Sequence, residues 1–205
     1  MKRDIEVEVR GLLTKSDFYK TKDFLEVNGV LKDQKRRILI DYSTFLPEEG
    51  IRDRKKDIRV RVTNGIPEII IKLGSWGGSE SRQELSFKGA EGSFDTLVQI
   101  FGHLGLKKGI LAERKTLAYE YKEIEFALVE VPGHSYYFEA ERMAHSEDDF
   151  VKVEKEILNV CDELGLSVLS KDGFFEYIDV LNKEANDIFN FETSDDDFFE
   201  KMHNV

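Results

Sequence analysis

Five short segments carry charges in strand-like patterns: Glu6-Val7-Glu8-Val9-Arg10, Arg59-Val60-Arg61 and Glu139-Ala140-Glu141 alternate charged and hydrocarbon residues with a period of two, and Ile69-Ile70-Ile71-Lys72 and Arg82-Gln83-Glu84 join the set. Residues two apart on a strand share a face, so each charged pair points one way while Ile5, Val7, Val9, Val60 and Val62 point the other. The pattern predicts strands at about 4–12, 35–45, 57–64, 67–73, 81–88, 113–121, 123–131 and 135–143. Asn64-Gly65 and Lys122 make hairpin-length connections. Helical spacing follows the capping box at Thr14, runs through Phe94, Leu97, Val98, Phe101 and Leu104, and follows a second capping box at Ser146. Gly29, Gly105 and Gly165 stand where left-handed caps would end these helices. Residues 45–56 and 74–81, the latter with Trp76, read as loops. The expected class is α+β, an antiparallel sheet with helices packed on its apolar side. After Lys183 the composition shifts to Asn, Asp and Phe, a segment expected to dock as a short helix or fray, with Phe189, Phe191, Phe198 and Phe199 favouring docking.

A chain of 205 residues, 40% hydrophobic and 35% charged, is long enough for a real core and reads as soluble and globular. Its net charge of -11 argues against a non-specific binder of duplex nucleic acid. No apolar run approaches the roughly 20 residues that span a bilayer. Met1-Lys2-Arg3-Asp4 runs straight into a charged strand, so the cytoplasm is the expected compartment and no membrane partner is expected. Cys161 falls on the apolar side of a helix and reads as a small buried hydrophobe. His103, His134, His145 and His203 share no ligand spacing, and no glycine-rich phosphate loop occurs. The mixed-sign run Arg52-Asp53-Arg54-Lys55-Lys56-Asp57 reads as an exposed loop.

For any one strand, the ordinary explanation of a charged face is solvation. Together the strands put pure pairs of both signs at fixed spacing. On that face Arg10, Arg59, Arg61, Lys72, Arg82 and one of Arg114 or Lys115 nearly balance Glu6, Glu8, Glu84, Glu139 and Glu141. Carboxylate oxygens suit Mg²⁺ or Mn²⁺, and arginine forks match phosphate geometry. Such a surface can hold a metal and a polyanion together.

In order along the chain, Glu6-Val7-Glu8-Val9-Arg10, Asp41-Tyr42, Ile58-Arg59-Val60-Arg61, Ile71-Lys72, Arg82-Gln83-Glu84 and Phe138-Glu139-Ala140-Glu141 resemble the motifs of the CYTH superfamily, the triphosphate tunnel metalloenzymes. Its members include class IV adenylyl cyclases, thiamine triphosphatases and inorganic triphosphatases. The resemblance spans about residues 4–180. It implies an eight-stranded antiparallel β-barrel, or tunnel, with helices outside, over residues 1–182, and leaves 183–205 as an acidic, Phe-containing extension. By this resemblance Glu6, Glu8, Glu139 and Glu141 would hold Mg²⁺ or Mn²⁺, with Glu84 a further candidate. Arg10, Arg59, Arg61, Lys72, Arg82 and Arg114 or Lys115 would bind the phosphates. The implied activity is a metal-dependent phosphohydrolase acting on an inorganic, thiamine or nucleoside triphosphate, in a monomer or homodimer. The alternatives are a cyclase making cyclic AMP from ATP and a non-catalytic polyphosphate or nucleotide sensor. Departures from the family pattern are Arg10 for the usual Lys, Ser86 for a second acid, Glu113 for a basic residue, and Val129 for an Asp, with Glu130 on the other face.

Overall fold

In β1 (Ile5–Leu13) the two-residue alternation is an alternation of burial: Ile5, Val7 and Val9 are buried, and Glu6, Glu8 and Arg10 are half-buried. The computed structural model describes residues 5–47, 52, 54–74 and 83–194. After β1 come α1 (Lys15–Asn28), β2 (Val30–Asp41), a short 3-10 turn (Ser43–Phe45), β3 (Lys56–Thr63), β4 (Ile66–Leu73) and β5 (Gln83–Lys88). Then follow α2 (Phe94–His103), β6 (Lys108–Tyr121), β7 (Ile124–Val131), β8 (Ser135–Ala144), α3 (Glu147–Glu163), α4 (Lys171–Glu184) and β9 (Asp187–Asn190). This is an α+β architecture whose strand pairings are antiparallel, as the pattern predicts. Among the described residues no helix is long and apolar enough to cross a membrane. The described chain forms two compact units, residues 5–34 with 115–178, and residues 35–74 with 83–114 and 179–194.

In the first unit the strand order is β1-β8-β7-β6. Val7, Phe126, Leu128, Phe138 and Ala140 from the sheet meet Phe18 and Leu25 of α1 and Val153, Ile157 and Cys161 of α3 in one core. Burial pushes the Cys161 thiol up to about 12, in keeping with a packing role. The Thr14 and Ser146 hydroxyls accept from the Asp17 and Asp149 amides at 3.1 and 3.2 Å, the expected caps of α1 and α3. Gly165 ends α3 at φ 68°, and Leu166 N–H donates to Cys161 O at 2.8 Å. Gly29 differs from expectation: it is extended, at φ -112° and ψ -173°, because the chain passes from α1 directly into β2. Its lack of a side chain serves a close approach, since a Cβ there would lie 2.9 Å from Glu120 O.

In the second unit the order is β6-β2-β3-β4-β5, with β9 also paired to β6. Asn64 and Gly65, at φ 48° and 81°, close the β3–β4 hairpin. Phe94, Leu97, Val98 and Phe101 of α2 pack on Ile38, Ile40, Val60 and Val62. β2 and β6 begin about five residues before the expected positions. The early residues of β2 are exposed and show no apolar alternation, so the pattern is silent there. Gly109, ahead of the expected strand, lies in β6 against the β2 end; a Cβ would meet Ile40 Cγ2 at 2.4 Å. The segment after α4 forms a strand instead of a helix: Phe189 is 2% exposed beside Tyr42, and the Phe191 ring covers Gly102. Trp76, Phe198 and Phe199 lie outside the described residues.

Candidate metal centre and phosphate clamp

Register places an acid row across the charged face of the first unit. Glu8 of β1 opposes Glu141 of β8, Glu141 opposes Glu125 of β7, and Glu125 opposes Glu120 of β6. Like charges directly opposite destabilise a sheet, so such a row needs countercharge. Lys32 meets Glu120 at 2.9 Å at one end. At the other end Arg10 Nη2 donates to Glu8 Oε2 at 2.5 Å. Between them, burial together with the charges of Glu8, Glu6, Glu139 and Glu125 pushes the Glu141 carboxyl up to about 8. Glu120, Glu125 and Glu141 also line a cavity of about 780 Å³ together with Arg142, His145 and Lys152.

One carboxylate oxygen each from Glu6, Glu8 and Glu141 lie within 4.8 Å of one another. These oxygens, from two neighbouring strands, converge, are partly withdrawn from water and could hold a hard divalent cation. Glu139 is placed differently. It opposes Arg10 in register and accepts from Arg10 Nε at 3.0 Å. The Arg10 guanidinium also lies 4.9 Å from the centroid of the Phe174 ring. Burial by itself would lower the Arg10 pKa, but Glu8 and Glu139 outweigh it and raise it, so the side chain is a permanent cation. The planar guanidinium presents separate nitrogens to the two carboxylates and its face to the ring at the same time, a geometry a lysine ammonium does not have.

The second unit carries the expected cations on one face of β3 and β4, each engaged with an acid. Arg61 Nη2 reaches Glu68 Oε2 at 2.7 Å, Lys72 reaches Glu84 at 3.1 Å, and Arg59 Nη2 reaches Asp57 Oδ2 at 2.6 Å. Glu84 thus stands directly across from Lys72, in a strand pair of this unit. β6 separates the two remaining candidates. Arg114 lies on the face of Thr116 and Ala118 and donates to Asn186 Oδ1 at 3.1 Å. Lys115 points to the opposite face with Leu117 and approaches Glu130 at 4.0 Å. Arg82 lies outside the described residues.

Two groups escaped the sequence reading. Glu120 and Glu125 join the acid row only through register, and no spacing within one strand reveals it. Arg54 and Asp57, read as an exposed loop, are 2% and 1% exposed. Composition offers no signal for them, since mixed charges usually mean solvent.

No family model and no curated protein matches the sequence. Solved structures do. The PH1012 protein of Pyrococcus horikoshii OT3 superposes with a TM-score of 0.63 at 19% identity, over 82% of this chain and 99% of its own. A candidate adenylate cyclase from Vibrio parahaemolyticus gives 0.57 at 13% identity, over 80% and 90%. HpAC1 of Hippeastrum, a candidate adenylyl cyclase described as having a dominant triphosphatase activity, gives 0.54 at 12% identity, over 85% and 96%. This chain shares its fold with these proteins. Within this fold Val129 and Glu130 stand on opposite faces, as expected. Val129 opposes Tyr137 and Thr116 on the charged side, Glu130 opposes Lys115 and Tyr136 on the other, and Ser86 opposes Ile70.

Proposed function

We propose that this chain is a divalent-metal-dependent phosphohydrolase acting on a triphosphate. The observation that carries the reading is the convergence of Glu6, Glu8 and Glu141 oxygens within 4.8 Å, on a fold shared with a protein described as mainly a triphosphatase. Mg²⁺ or Mn²⁺ held by these three would polarise a phosphate oxygen and make a water more acidic. Arg61 and Lys72 would bind phosphate oxygens in exchange for their present partners Glu68 and Glu84, and Arg59 and Arg114 would bind them while still held by Asp57 and Asn186. Phosphoryl transfer demands mainly positioning and charge neutralisation, which these groups supply. Arg10 bridges Glu8 and Glu139, and of these two only Glu8 also converges with Glu6 and Glu141 where the cation would sit. Arg10 cannot act as a base, because an arginine does not give up its proton.

The test is phosphate release from tripolyphosphate, thiamine triphosphate and ATP with Mg²⁺ or Mn²⁺, with cyclic AMP followed alongside. Release from one of the three, lost at least 100-fold in Glu8→Gln while the melting temperature stays within a few degrees, is the expected result. No phosphate from any substrate with either metal would sink the proposal. Cyclic AMP from ATP would favour the cyclase reading, which the Vibrio parahaemolyticus neighbour's description motivates.

A further inference from the structure

Arg54 is a cation that solvent does not reach, at 2% exposure. Its Nη1 donates to Asp41 Oδ2 at 2.9 Å and to Asp57 Oδ1 at 2.8 Å, and its Nη2 donates to Thr44 Oγ1 at 2.6 Å. The second oxygen of Asp57 accepts from Arg59 Nη2 at 2.6 Å, and Asp41 Oδ2 lies 3.8 Å from Arg59 Nε. Two arginines and two aspartates thus form a neutral quartet within the second unit. The backbone locks it in place: Ser43 N–H donates to Asp41 Oδ1 at 2.8 Å, and Ile58 N–H donates to Ser43 Oγ at 2.7 Å.

A buried ion network is weak evidence for stability, since well-packed hydrocarbon in its place is often as stable or more so. What this network does confer is geometry. Asp41 opposes Arg59 in register, and Asp57 lies two residues before Arg59 on the same face. Arg54 neutralises both acids from beneath, while the Arg59 side chain keeps 22% of its surface exposed. Resting on the reading of Arg59 as a phosphate ligand, we infer that Arg54 is a positioning residue. It acts through Asp57 and Asp41 to hold the Arg59 guanidinium in one orientation for a phosphate group of the substrate. Arg54 itself is too buried to touch that group. Fixing a long side chain before binding removes much of the ordering cost that association otherwise carries.

The test is a double-mutant cycle on Arg54→Lys and Arg59→Met, read as the Kd for tripolyphosphate by calorimetry in EDTA, with melting curves beside it. Lysine keeps the charge but cannot fork across Asp41, Asp57 and Thr44. Arg54→Lys is expected to weaken binding about tenfold in the wild-type background and less than twofold when Arg59 is already Met. Asp57→Asn removes the anchor on Arg59 and leaves Arg54 its bonds to Asp41 and Thr44; it should show the same coupling even if Arg54→Lys folds poorly. A lowered melting temperature in both backgrounds with Kd unchanged overturns the inference and leaves the phosphate-binding reading standing. An unchanged Kd in Arg59→Met overturns both.

Discussion

Glu141 lets the acid row be tested without a substrate. Its carboxyl is pushed from the ordinary 4.5 up to about 8, first by burial and then by Glu8, Glu6, Glu139 and Glu125. The folded protein therefore keeps this proton to about pH 8, whereas the unfolded chain releases it near pH 4.5. Between those values folding takes up a proton, so stability is present in full below about pH 4.5 and falls as pH rises toward and through 8. At full value the shift corresponds to about 5 kcal/mol, and screening of a partly exposed group cuts this to about 2 kcal/mol. For a chain of this size that is roughly 4–8 °C in melting temperature. Glu141→Gln mimics the protonated acid. In EDTA it should melt with the wild type at pH 5 and about 4–8 °C above it at pH 9. Adding Mn²⁺ at pH 8 should raise the wild-type melting temperature and leave the variant nearly unmoved. Calorimetric melts from pH 5 to 9 supply the measurement. A difference between the two proteins that is constant with pH would refute the argument that the row stores repulsion at Glu141.

Two further outcomes follow from placement. Gly11→Ala should cost about 3 kcal/mol in denaturant melts, because its Cβ would lie 2.0 Å from Ser167 O and 2.3 Å from Phe138 Cε1; a loss under about 1 kcal/mol would contradict that packing. Arg114→Met should raise KM for phosphate release about tenfold while Lys115→Met changes it less than twofold; equal effects in steady-state kinetics would overturn the assignment of faces on β6.

The acid row and the buried quartet share one physical logic. In each, charges stand where the fold alone gains little from them, and neighbouring groups compensate by different means. Glu141 compensates by keeping a proton, Glu8 by pairing with Arg10, and the two aspartates of the second unit by sharing Arg54 and Arg59. The planar fork of Arg10 reaches Glu8 and Glu139 at once, and Glu8 also converges with Glu6 and Glu141.

The period-two alternation was enough to place Ile5, Val7, Val9, Val60 and Val62 inside and the charged pairs on the other face, because strand geometry sets that choice residue by residue. Caps at Thr14 and Ser146 and the Asn64-Gly65 hairpin were likewise legible, since each depends on a few contiguous residues. Three matters needed the tertiary structure. Register between strands decided that Glu120 and Glu125 extend the row from Glu8 and Glu141, and that Arg114 and Lys115 point to opposite faces. Pairing with β6 turned the Phe-containing segment into a strand, because Phe189 finds the Tyr42 and Phe101 surface only once β2 and α2 are in place. Packing decided that Arg54 and Asp57, indistinguishable in sequence from a solvated loop, are buried partners. Local pattern reports which way a side chain points; which distant side chain it meets is settled only when the strands align.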